Sequence, residues 1–129
     1  MSVQGDAITP VTHVFISNLT IAHAAPTFLE PYEVSSGGDW AIHRGGAVFV
    51  DGASEVCIDG NHFDQVDGNG IFFSRFVRNS SIKLNTMTDI GDSGILVVGA
   101  SGPHRTNQAS NLDYPAFNII EKNYVGKKQ

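Results

Sequence analysis

Cysteine is almost absent from this chain: Cys57 stands alone among 129 residues, which rules out an internal disulfide and leaves no Cys or His spacing for a zinc site. Basic clusters are missing too. The 8 Lys and Arg residues are scattered except for Lys127 and Lys128, so nothing forms a footprint for a phosphate backbone, and nucleic acid is not an expected partner. No apolar run approaches the ~20 residues of a membrane-spanning helix, and no membrane partner is expected. The opening MSVQGDAITPVTHVF has neither the basic nor the apolar region of a secretory signal. No segment carries an apolar stripe of period 3.6 over a helical length. What is present is 41 % apolar residues, only 16 % charged residues, 14 glycines and a net charge of −5. That composition describes one turn-rich β domain spanning 1–129.

The glycines are periodic. At a shift of 24, Gly46, Gly70 and Gly94 coincide, each followed by an apolar run: GAVFV, GIFFS and GILVV. The same shift superposes Ile58 on Ile82, Asn61 on Asn85, Phe63 on Met87 and Val66 on Ile90. HVFISNLTI (His13 to Ile21) repeats EVCIDGNHF (Glu55 to Phe63) at a shift of 42, and NIIEKNYV (Asn118 to Val125) repeats SSIKLNTM (Ser80 to Met87) at a shift of 38. We read about four repeats, with inserted loops at about 24–43 and 100–115.

Each repeat holds short alternating runs broken by Gly, Asn, Asp or Ser, which is the pattern of strands. Stacking the repeats in parallel, ~4.8 Å apart, predicts an all-β fold, a parallel β-helix (solenoid) of about four coils. The predicted inward columns are Ala47, Ile71 and Ile95; Phe49, Phe73 and Val97; Val14 and Val56; Ile16, Ile58, Ile82 and Ile120; and Ile21, Phe63, Met87 and Val125. Asn61, Asn85 and Asn123 recur at one bend as an expected amide ladder. Val48, Phe72 and Leu96 fall one place off the core as an outward apolar column. Both coil ends would expose unpaired strands, which invites a homo-oligomer through the ends or through that apolar face.

The sequence from THVFISNLTIAH through HRGGAVFVDG and DGNGIFFS to DIGDSGILVVG and NIIEKNYVG resembles the pectate-lyase-like superfamily of right-handed parallel β-helix proteins. Within it, the chain looks like the central coils of bacterial glycoside-hydrolase-like members. The resemblance implies a right-handed coil, a polysaccharide or oligosaccharide partner, no cofactor, and a secreted or periplasmic setting.

Glycosidases need two carboxyl groups flanking the scissile bond. Asp67 and Asp92 stand in glycine-rich turns of consecutive coils and are the catalytic candidates. They are out of register by one place: Asp67 aligns with Gly91, and Asp92 with Gly68. The alternative is that both only accept hydrogen bonds from turn backbone. Asp89, with Asp64, forms a second acidic pair. Asp39, His43 and Arg44 close the first insertion, where they suit a sugar hydroxyl, a carboxylate or a plain salt bridge. Tyr32, Glu33 and Trp40 of that insertion offer aromatic faces and polar groups to a sugar, or pin the loop to the coil. His104 and Arg105 of the second insertion complete the binding candidates. A calcium-dependent lyase would use Asp64, Asp67, Asp89 and Asp92 as ligands with a basic residue beside them, and only Arg75 and Arg78 are near in sequence. The competing reading is a non-catalytic solenoid, either a fragment of a longer one or a small stacking module that binds glycans or other chains through its faces and ends.

Overall fold

The computed structural model describes residues 1–25, 43–100 and 114–127. All eleven elements among them are strands: β1 (Ser2–Gln4), β2 (Val11–Ser17), β3 (Thr20–Ala24), β4 (Val48–Asp59), β5 (His62–Val66), β6 (Ile71–Arg78), β7 (Ser81–Lys83), β8 (Thr86–Ile90), β9 (Ile95–Val98), β10 (Ile119–Glu121) and β11 (Tyr124–Gly126). Every pairing is parallel. A seven-stranded sheet contains β10, β7, β4, β6 and β9 in order, with β1 and β2 both on β4; a four-stranded sheet runs β11-β8-β5-β3.

Long β4 explains how one sheet serves two directions. Its first half, Val48 to Asp51, takes β1 on one side and β6 on the other, and its second half takes β2 and β7. The strands thus form three columns: β1, β4, β6 and β9; then β2, β4, β7 and β10; then β3, β5, β8 and β11. Each column is four strands deep, so four levels follow one another along the chain.

The repeat spacings reappear as hydrogen-bond register. The shift of 24 places Phe63 beside Met87 and Ile58 beside Ile82; the shift of 42 places Ile16 beside Ile58; the shift of 38 places Ile120 beside Ile82. The first column departs from the expectation. There Val48 pairs with Ile71 and Val50 with Phe73, one residue short of the period, and the register recovers only after a bulge, where Ala53 pairs with Val77. Arg75 and Phe76 of β6 both oppose Gly52, and Arg75 (φ 52°) and Gly52 (φ 61°) are left-handed at that bend. Because side chains alternate, the one-place slip inverts the faces. Val48 and Val50, rather than Ala47 and Phe49, join Ile71 and Phe73 in the core, all four fully buried. Phe49, Phe72 and Leu96 form the outward row instead. Strand β1 was not anticipated: three residues carry little periodicity, and only its partner β4 makes it a strand.

The remaining core columns stand as expected at Val14 and Val56, Ile16, Ile58 and Ile82, and Ile21, Phe63 and Met87, but Ile120 and Val125, expected inward, are exposed at the last level, as is Val97 of the first column. At the bends the backbone turns left-handed in columns as well: His13, Glu55, Asn79 and Phe117; Asn18, Gly60, Leu84 and Lys122; His23, Gln65 and Asp89. Glycine occupies just two left-handed positions among the described residues, Gly52 and Gly60.

The asparagine ladder closes one bend. Asn61 donates its backbone N–H (3.0 Å) and Nδ2 (2.9 Å) to Asn85 Oδ1, and Asn85 repeats both bonds to Asn123 Oδ1. Each Nδ2 also donates to the carbonyl of a core isoleucine at the level before: Ile16, Ile58 and Ile82. Asn61 and Asn85 are buried polar groups with donors and acceptors occupied, which is the condition for burying an amide without loss. A second such bend uses Ser80 and Asn118. Val56 N–H donates to Ser80 Oγ, Ser80 N–H to Asn118 Oδ1, and Asn118 Nδ2 to Val77 O.

Candidate functional site

The third bend separates the third column from the first, and here the polar candidates gather. His23, Gln65 and Asp89 occupy one register slot at three successive levels, in β3, β5 and β8. With Ala24, Ala25 and Asp67 they line an open depression of about 440 Å³. A second depression of about 400 Å³ adjoins it through the shared Ala24 and Ala25, and His43, Arg44, Gly45 and Asn69 lie along it. Two carboxylates, two imidazoles and two side-chain amides therefore border these two adjoining depressions, which together make the corner groove.

Asp67 and Asp89 are brought together in the same depression; Asp92 lines neither one. The exposed Asp67 donates its N–H to Ala24 O (3.1 Å). Asp92 lies a level beyond. Its N–H donates to Gly68 O (3.3 Å), and its carboxylate accepts the Ser93 hydroxyl at 3.4 Å. The one-place offset of the two aspartates has a steric origin. A Cβ at Gly91, which fills the Asp67 slot one level on, would stand 2.7 Å from the Asp67 carbonyl atoms. Only glycine fits there, so the aspartate of that turn is displaced to the next position.

Arg44 is tied to the outward aromatic row. Its Nη2 donates to Ser74 Oγ (3.0 Å) and Gly99 O (2.9 Å), and its guanidinium covers the Phe72 ring at 5.7 Å. It thereby tethers three segments over the outward aromatic row, in which Phe72 is fully buried against Phe49, with ring centroids 5.8 Å apart. His43 is held through its backbone: Asn69 Nδ2 donates to His43 O and Gly45 O, both at 3.0 Å, while Ser93 N–H donates to Asn69 Oδ1 at 3.2 Å. Asp64 stands outside the groove and accepts the Thr88 hydroxyl at 3.0 Å. Tyr32, Glu33, Asp39, Trp40, His104 and Arg105 lie outside the described residues.

Neither basic residue considered for a lyase borders the groove. Arg75 is bound to the buried Asp51, with Nε at 2.9 Å and Nη2 at 2.7 Å from Oδ2. Arg78 lies among Phe76, Tyr114 and Phe117, its guanidinium 4.6 to 5.8 Å from the three rings. Among the described residues no three His, Cys, Asp or Glu side chains come together as cation ligands.

His23, Gln65 and Asn69 are groove residues that sequence reasoning passed over. A signal existed for the first two: the shifts of 42 and 24 align His23, Gln65 and Asp89, a slot that is polar in each repeat. No family model, curated protein or solved structure matches this chain.

Proposed function

We propose that the chain is a right-handed parallel β-solenoid of four coils whose corner groove binds and hydrolyses a polysaccharide in the manner of a glycoside hydrolase, with Asp67 and Asp89 as the working carboxylates. The observation that carries this reading is their joint lining of one open depression with His23 and Gln65. What supports the coil is the fourfold return of the chain to three parallel columns, with amide ladders at the bends. What supports a sugar as ligand is the resemblance of the repeats, together with the donor and acceptor variety along two adjoining, solvent-open depressions. Glycoside hydrolysis requires one carboxyl group to protonate the leaving oxygen and another to act as nucleophile or to activate water. Gln65 and Asn69 are suited to hydroxyl recognition, since amides both donate and accept.

Reducing-end release from a panel of neutral and acidic polysaccharides tests this. Wild type is expected to cleave at least one member, Asp67→Asn and Asp89→Asn to lose at least about 100-fold in rate, and Asp92→Asn to stay near wild type. Saturable binding without cleavage would reduce the groove to a glycan-binding site. No binding to any member removes the reading. The exposed apolar side chains of the two outer strand levels, among the described residues, support the other reading, a stacking module, and carry an inference of their own.

A further inference from the structure

Exposed large hydrophobic side chains are concentrated at the two ends of the strand columns. Met1, Ile8, Phe15 and Leu19 belong to the first level; Val97, Tyr114, Phe117, Ile119, Ile120, Tyr124 and Val125 belong to the last; among the described residues Leu84 is the sole exception between them. Three of the last-level residues end core columns. Val97, Ile120 and Val125 are 43 %, 47 % and 53 % exposed, whereas Phe73, Ile82 and Met87, one level in, are fully buried. Among the described residues, the strands at both ends, β1, β2 and β3 at one and β9, β10 and β11 at the other, pair along one edge only.

The register of the columns says what fits there. Continuing each column past the last level, with the first level of a second copy as the next rung, places Val3 after Val97, Ile16 after Ile120 and Ile21 after Val125. The outward row that holds Phe15, Cys57, Ser81 and Ile119 would then set the 74 % exposed Phe15 of the second copy against the 52 % exposed Ile119. Every core column meets an aliphatic partner, and unpaired parallel edges meet in the orientation the protein already uses. We infer that this chain associates head to tail with copies of itself, the β9–β11 edge of one copy adding to the β1–β3 edge of the next. Such a contact is heterologous and does not close on a dimer, so growth is open-ended. One rung is weaker at the junction. Asn123 would face Leu19, which has no side-chain acceptor, so the amide ladder is interrupted there. Association is therefore reversible and concentration-dependent, unlike the stacking within one chain.

Sedimentation velocity of the full chain from about 1 to 100 μM, with blocked ends, tests the inference. Phe15 and Ile119 point outward and are solvent-exposed, so Phe15→Lys and Ile119→Lys leave the core intact, which circular dichroism verifies. Wild type should form a concentration-dependent ladder of species. Either variant alone should remain monomeric, and an equimolar mixture should stop at a one-to-one dimer, because one copy supplies a free head and the other a free tail. Pairing Phe15→Lys with Ile119→Glu should restore growth. A wild type monomeric throughout overturns the inference. So does a Phe15→Lys variant that still dimerises alone, which would mean tail-to-tail contact, or an Ile119→Lys variant that does, which would mean head-to-head contact.

Discussion

At the residue scale, the bends depend on polar side chains that substitute for backbone partners. Asn85 is the clearest case: it accepts two bonds from Asn61, donates to Ile58 O, and passes two donors on to Asn123, all while 1 % exposed. Asn85→Ala removes the acceptor of the Asn61 backbone N–H and of one Asn61 Nδ2 hydrogen, and the side-chain donor to Ile58 O, in a dry corner. Each orphaned group costs about 1–3 kcal/mol, so the variant should lose at least about 3 kcal/mol in urea unfolding, and Asn123→Ala, at the open end, markedly less. Two exposed carboxylates act on the acid side. Asp6 is held below its ordinary range by the N–H groups of Thr9 and Ile8 and by the Thr9 hydroxyl, and Glu121 by its hydrogen bond and charge attraction to Lys83. A carboxylate more acidic in the folded chain adds stability that is complete above its unfolded value, near 4, and disappears as the pH falls through its folded value. The melting temperature should therefore decline on acidification below about pH 4, and the decline should be shallower in Asp6→Asn/Glu121→Gln than in wild type.

At the scale of elements, β1 is held by a close approach. Gly52 is left-handed (φ 61°), and a Cβ built there would overlap the backbone of Gly5 and Asp6, where Gly5 N–H donates to Asp51 O at 2.9 Å. Gly52→Ala cannot relieve that overlap by a rotamer change. It should lift β1 off β4, seen as lost protection of the Gly5 amide in hydrogen exchange while β5 and β8 keep theirs. The same bend explains why the first strand slipped by a place in the sequence reading. Gly46, Gly70 and Gly94 do recur at the period, but the extra residue at Arg75 and Phe76 absorbs one position, and a bulge leaves no mark in a pattern of apolar residues. A Cβ on Gly70 would come within 2.5 Å of Gly94 O, so the glycine column reports backbone proximity rather than the phase of the strand that follows it.

For the whole molecule, stability is uneven because a stack has an inside and two ends. Repeat architectures gain most from nearest-neighbour contact, and here, among the described residues, β4 to β8 have neighbours on both edges while the outer levels have one. Amides of β10 and β11 should exchange at least about 10-fold faster than those of β5 and β7 in dilute solution, and they should slow towards the interior rate as concentration rises if copies stack.

The sequence by itself determined the all-β class, the parallel pairing at shifts of 24, 42 and 38, the Asn61–Asn85–Asn123 ladder and most of the core, because each follows from a residue type recurring at a fixed spacing. Tertiary structure alone decided the rest. The bulge at Arg75 and Phe76 chose which of Ala47 or Val48, Phe49 or Val50, faces inward, a steric accommodation that apolar residues at both positions conceal. It put Asp67 and Asp89 on the lining of one depression that Asp92 does not line, and it brought the Gly91 backbone close to Asp67, a property of stacked turns and not of either turn alone. It also assigned Arg44 to Ser74, Gly99 and Phe72, partners 28 to 55 residues away that no local pattern connects to it.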